Sequence, residues 1–108
     1  MEAALEALSD GTRRRIVEEL AQADRTAGEL AGLFDISRPG VSRHLRVLRE
    51  AGLVTAEPDA QRRVYSLTTE PLEELAEWLG RYRRFWTQRL DALDTEIVRG
   101  KRARKEKR

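Results

Sequence analysis

At 108 residues the chain has room for one small domain, and none of its apolar runs approaches the length of a membrane span. It has no cysteine and one histidine, His44, which excludes disulfides and thiolate metal sites and makes a reducing cytoplasm the expected setting. The net charge of +2 is unevenly spread: residues 1–35 carry four Lys/Arg against eight Asp/Glu, residues 36–66 six against three, residues 67–98 four against seven, and residues 99–108 seven against one. An acidic N-terminal part followed by a basic middle is the distribution expected of a domain that meets phosphate on one side only. The early acids also stand where a secretory leader would be apolar.

Residues Glu2–Leu8 read as a short, largely apolar helix stopped by Ser9-Asp10-Gly11. Asp10 or Thr12 can cap the next helix, whose buried side is Ile16, Val17 and Leu20. Arg13, Arg14 and Arg15 crowd its first turn, where they oppose the helix dipole, and two readings stay open: a solvated basic turn, or phosphate contact from the flank of the domain.

Ala21–Arg25 reads as a connection. Thr26-Ala27-Gly28-Glu29 then has the spacing at which a Thr cap and a Glu three residues on satisfy each other's backbone N–H groups, so a helix starts at Thr26 and turns Leu30, Ala31 and Phe34 inward. Asp35-Ile36 makes a tight turn.

The segment after it carries the strongest local signals. Ser37 is an N-cap and Pro39 lies just inside, where a missing N–H is harmless; Gly52 supplies the left-handed residue that stops the helix. Val41, Leu45 and Leu48 share one face. Pro39, Gly40, Arg43, Arg46 and Val47 fall opposite, flanked by Ser42 and His44, with no acid until Glu50. A small, basic, hydroxyl-bearing face is what a helix needs to enter the DNA major groove; the plainer alternative is a solvated amphipathic helix, with His44 partly buried.

After Gly52 the period changes to two. Leu53–Glu57 and Arg62–Leu67 read as a two-stranded hairpin around Pro58-Asp59-Ala60-Gln61, with Pro58 ending the first strand. Following a reading helix, such a hairpin is a wing whose tip carries Arg62 and Arg63 to the DNA backbone or minor groove; otherwise it is an edge hairpin whose arginines discourage aggregation. The last helix, cappable by Thr68 or Thr69 with Pro71 in its first turn, repeats Leu72, Leu75, Leu79, Tyr82, Trp86, Leu90, Leu93 and Ile97 at spacings of three and four, and Trp78 and Phe85 widen the seam. A seam this long suits pairing with the same helix of a second copy, joined by Leu5 and Leu8 of the first helix; the alternative is a helix that only covers its own core. Residues 1–98 thus form the expected domain. Residues 99–108 form a basic tail whose composition predicts disorder, serving either nonspecific attraction to nucleic acid or solubility.

The order helix, helix, helix, helix, strand, strand, helix defines a mainly α winged helix-turn-helix. Together with Leu8–Ile16, Glu29-Leu30-Ala31, Ser37–Val54 and Arg63–Leu67, it resembles the ArsR family of bacterial winged helix-turn-helix transcriptional repressors over residues 3–90. The resemblance implies a homodimer paired through its first and last helices (Leu5, Leu8, Leu79, Tyr82, Trp86, Leu90, Leu93). It implies contacts from Ser37, Arg38, Pro39, Ser42, Arg43, His44 and Arg46, with Arg62 and Arg63 on the wing, to an inverted-repeat operator in double-stranded DNA. Many members sense metals through cysteines on the helix that here reads Glu29–Asp35, or through histidines on the last helix. This chain has neither, so no metal site or cofactor is expected, and no effector is indicated. A different class of function, a protein-interaction adaptor holding a partner on Trp78, Tyr82, Phe85 and Trp86, leaves the outward arginines without a purpose. An enzyme lacks a nucleophile–base pair and a phosphate-binding loop.

Overall fold

Six side chains without exposed surface, Ile16, Leu30, Val41, Leu45, Leu48 and Leu53, converge from three helices and the entry to a strand, and the domain is arranged around them. Each contributes roughly 1.5–3 kcal/mol of transfer free energy on leaving water. The computed structural model describes the backbone of residues 1–106 and the side chains of residues 1–95 and 97. The elements are α1 (Glu2–Ala7), α2 (Gly11–Gln22), β1 (Arg25–Thr26), α3 (Ala27–Phe34), α4 (Arg38–Glu50), β2 (Val54–Asp59), β3 (Arg62–Leu67) and α5 (Glu70–Glu106).

Local chemistry sets most of the boundaries. Asp10, rather than Thr12, caps α2 by accepting the Arg13 N–H at 3.0 Å. Thr26 and Glu29 form the reciprocal cap of α3, at 3.1 Å and 3.3 Å. Ser37 caps α4 by accepting the Gly40 N–H at 3.2 Å. At the other end of α4, the N–H of Gly52, at φ 77°, bonds to Arg49 and that of Leu53 bonds to Leu48. This paired closure of a helix end on a left-handed glycine delivers Leu53 directly into the core.

Two features depart from the sequence expectation. Arg25 and Thr26, read as connection and cap, form a short strand opposite Tyr65 and Val64, so the sheet has three antiparallel strands in the order β1-β3-β2. Pro58 does not end β2: the strand continues to Asp59, with Pro58 opposite Arg63, because β2 is an edge strand on which a residue without an N–H leaves no ladder bond unmade.

The chain divides into one unit at Met1–Leu75 and a second beginning at Ala76. In the first, Leu72 and Leu75 from the start of α5 pack on the core, Leu75 being buried. The second is helix. Its backbone stays helical through Glu106, into the segment whose composition predicts disorder; Lys, Arg, Glu and Ala are all good helix formers. The last two residues of that basic tail, and its side chains, lie outside the described residues.

Candidate nucleic-acid interface

The outward side of α4 is assembled by what lies behind it. Val41, Leu45 and Leu48 are fully buried, so Ser42, Arg43 and Arg46 must point away from the core, and all three are exposed. Among the described residues neither the Arg43 nor the Arg46 side chain forms an ion pair or hydrogen bond within the chain. Ser37, Arg38 and Pro39 are exposed at the leading end, and the Ser37 oxygen is occupied as a cap while its own O–H remains available as a donor. His44 differs: it is half-buried on the flank of the helix, near enough to Asp10 for their charges to interact. The Asp10 carboxyl is held below its ordinary value mainly by the Arg13 backbone N–H; burial, the next influence in size, opposes this, and weaker charge effects of His44 and Arg13 add to the lowering.

At the wing tip, Arg62 and Arg63 are both exposed but not equivalent. Arg62 reaches across the turn to Asp59 at 3.2 Å, whereas Arg63 has no such partner among the described residues. Ala60 makes this turn at φ 58°, a left-handed conformation unusual for a residue with a Cβ.

Arg14 and Arg15 of α2 are exposed and Arg13 is half-buried, and all three also have partners within the chain. Arg13 donates to the carbonyls of Ala7 and Glu6, and Arg14 to that of Leu8 at 2.9 Å. The Arg15 guanidinium lies 4.7 Å from the Phe34 ring centre. Two of the three cations that oppose the dipole of α2, Arg13 and Arg14, therefore face the negative end of α1, whose last carbonyls have no helical partners. No signal within α2 itself announces this arrangement.

The residues expected to join two copies are divided by their surroundings. Leu5 is exposed on α1, while Leu8 is half-buried against this chain's own core. Leu79, Tyr82, Trp86, Leu90 and Leu93 are all exposed on α5. Trp78 stacks on Tyr82 at 5.5 Å, Tyr82 tilts against Trp86 at 6.1 Å, and Phe85 meets Trp86 edge-on at 6.0 Å. A groove of about 400 Å³ on this helix is lined by Ala76, Leu79, Gly80, Tyr82, Arg83 and Trp86.

Neither α3 nor α5 carries a cysteine or histidine, and no cluster of three His, Cys, Asp or Glu suited to a metal occurs among the described residues. The donors present do not fit a thiolate or imidazole site. No described helix is long and apolar enough to cross a membrane.

A reading helix with a buried stripe and a basic outer face, preceded by a short capped helix and followed by a hairpin, defines a winged helix-turn-helix DNA-binding domain. Residues 10–56 match the family described as "Bacterial regulatory protein, arsR family". The chain is 49% identical over 87 residues to the HTH-type transcriptional regulator Rv2034 of Mycobacterium tuberculosis, covering 81% of this chain and 78% of that protein. It is 40% identical over 73 residues to the transcriptional repressor SdpR of Bacillus subtilis, covering 68% and 81%. Among solved structures it is similar, at TM-score 0.64 and 25% identity over 77% of each chain, to the homodimeric winged helix-turn-helix DNA-binding domain of a possible ArsR-family regulator from Mycobacterium bovis. The chain belongs to the ArsR family of DNA-binding transcriptional regulators, which are not enzymes.

Proposed function

We propose that the chain acts in the cytoplasm as a homodimeric repressor of an inverted-repeat operator, without a metal-sensing site. One observation carries this reading: Arg43 and Arg46 stand exposed on α4, paired with no acid among the described residues, directly opposite a fully buried apolar stripe. A guanidinium fork in that setting is available to a guanine edge or a phosphate. Ser37, Arg38, Pro39 and Ser42 sit at the narrow leading end that approaches the bases, His44 reaches from the flank, and Arg62 and Arg63 meet the backbone or minor groove from the wing. The exposed seam of Leu79, Tyr82, Trp86, Leu90 and Leu93 on α5 is a surface on which a second copy pairs, and on α1 the exposed Leu5 and the half-buried Leu8 take part in the same pairing. The homodimeric state of the Mycobacterium bovis domain and the repressor name of SdpR support these two parts of the reading.

The test is selection of bound sequences from random duplex DNA, followed by mobility shifts on the selected site. The expected result is a palindromic motif with half-sites about 10 base pairs or a multiple apart, bound as a dimer. Equal affinity for scrambled duplex, or a monomer that pairs only with a different protein, overturns it.

A further inference from the structure

Arg38, the first residue of α4, lies with its guanidinium flat against α3 at Gly28. Its Nη2, Cζ and Nε atoms are 3.4, 3.6 and 3.7 Å from the point that a Cβ on Gly28 would occupy. Among the described residues Arg38 has no ion pair and no hydrogen bond. No acid among the described residues pairs with it. Arg38 is in the first turn of α4 and Gly28 in the first turn of α3, so the cation rests between two helix N-termini, each carrying partial positive charge. The one acid in these turns, Glu29, is already engaged by the Thr26 N–H and by Arg25. The guanidinium thus lies over a position on α3 that carries no side chain, at a distance where a Cβ would just touch it.

We infer that Gly28 is a positioning residue for DNA binding: its bare Cα seats the Arg38 guanidinium in the orientation that meets a backbone phosphate beside the reading helix. The inference rests on the proposed role of Arg38 in DNA contact and adds to it a residue of the preceding helix. The fit is close enough to be tested by bulk. A Cβ alone would come into ordinary van der Waals contact with the guanidinium. Valine adds two γ-methyls that fill two of the three staggered positions around χ1, so the seat closes. Gly32, one turn further along α3, has nothing within 4 Å of its own Cβ position and is the matched control for the same change on the same helix.

The experiment is the salt dependence of binding to the selected duplex for the wild-type protein, Arg38→Ala, Gly28→Val, Gly32→Val and the Arg38→Ala/Gly28→Val double variant. Loss of one phosphate contact lowers the slope of log affinity against log salt by about 0.9 per chain. That drop is expected for Arg38→Ala and for Gly28→Val, with no further drop in the double variant and none in Gly32→Val. A slope kept by Gly28→Val but lost by Arg38→Ala overturns the seat and leaves the role of Arg38 standing. A slope kept by Arg38→Ala overturns both, as does a wild-type protein whose binding ignores salt. An additive drop in the double variant also overturns the seat. If Gly28→Val does not fold, an NOE between Gly28 Hα and Arg38 Hε in the wild-type protein supports the seat, and its absence overturns it.

Discussion

Arg13 donates its Nε–H to the carbonyl of Ala7, tying the first turn of α2 to the last turn of α1. Six residues of helix cannot hold themselves in water, so α1 depends on this tie and on the burial of Ala4 and Ala7. Arg13→Ala is expected to destabilise the protein by about 1–2 kcal/mol, the worth of a part-buried hydrogen bond from a charged donor. Urea unfolding measures the loss, and amide exchange in residues 2–8 should quicken more than in α4.

Asp10 gives a pH dependence with a definite sign. Its carboxyl is held below the ordinary value of 3.8, chiefly by the Arg13 backbone N–H, so the ionised form favours the folded state. That contribution is complete above the ordinary value and disappears as pH falls through the lower folded value. Asn also caps helices but does not titrate. Between pH 5 and pH 3 the melting temperature of Asp10→Asn should therefore fall less than that of the wild-type protein.

The wing turn is strained at Ala60, which adopts φ 58°. A left-handed conformation costs a residue with a Cβ about 1–2 kcal/mol, part of which glycine returns in backbone entropy. Ala60→Gly should stabilise the protein by about 0.5–1 kcal/mol in thermal or urea unfolding.

Arg43→Ala removes an exposed fork from the outer face of α4. Binding to the selected operator should weaken by about 1–3 kcal/mol while binding to random duplex changes far less, the mark of a base contact rather than a phosphate contact. Fluorescence anisotropy on the two duplexes separates these outcomes.

Trp86 is 45% exposed and Leu90 56% exposed on α5, large apolar surfaces for a chain on its own. Trp86→Ala should weaken self-association by about 2 kcal/mol or more, roughly thirtyfold, as loss of a buried aromatic anchor does. Sedimentation equilibrium reads this directly, and circular dichroism should show helix content retained.

Legibility in the sequence followed the range of the interactions. The caps at Thr26 and Ser37 and the stop at Gly52 are closed by residues three to five apart, so the helix-turn-helix and its buried stripe could be read from the chain. β1 could not. Arg25 and Thr26 become a strand only because Tyr65 and Val64 arrive beside them from far along the chain. Pro58 departs from its local signal for a related reason: its tolerance depends on which strand lies at the edge of the sheet. Arg13 and Arg14 of α2 break a local dipole rule and obey the same rule across a helix junction, while Arg15 lies over Phe34. Within the candidate interface, the basic face of α4 was legible, but the Asp59–Arg62 link and the Gly28 seat were not, because each depends on where a long side chain comes to rest.

The Leu53 N–H bonds back to Leu48, and the Leu53 carbonyl accepts the Thr68 N–H at 2.8 Å, so one residue joins α4, the start of the wing and the strand returning from it. That junction ties Arg43 on α4 to Arg63 on the wing, so on the proposed reading the two would grip a duplex like the jaws of a caliper. A duplex whose groove is too wide or too stiff to match that gauge is then expected to bind less well whatever its bases, a discrimination by DNA shape.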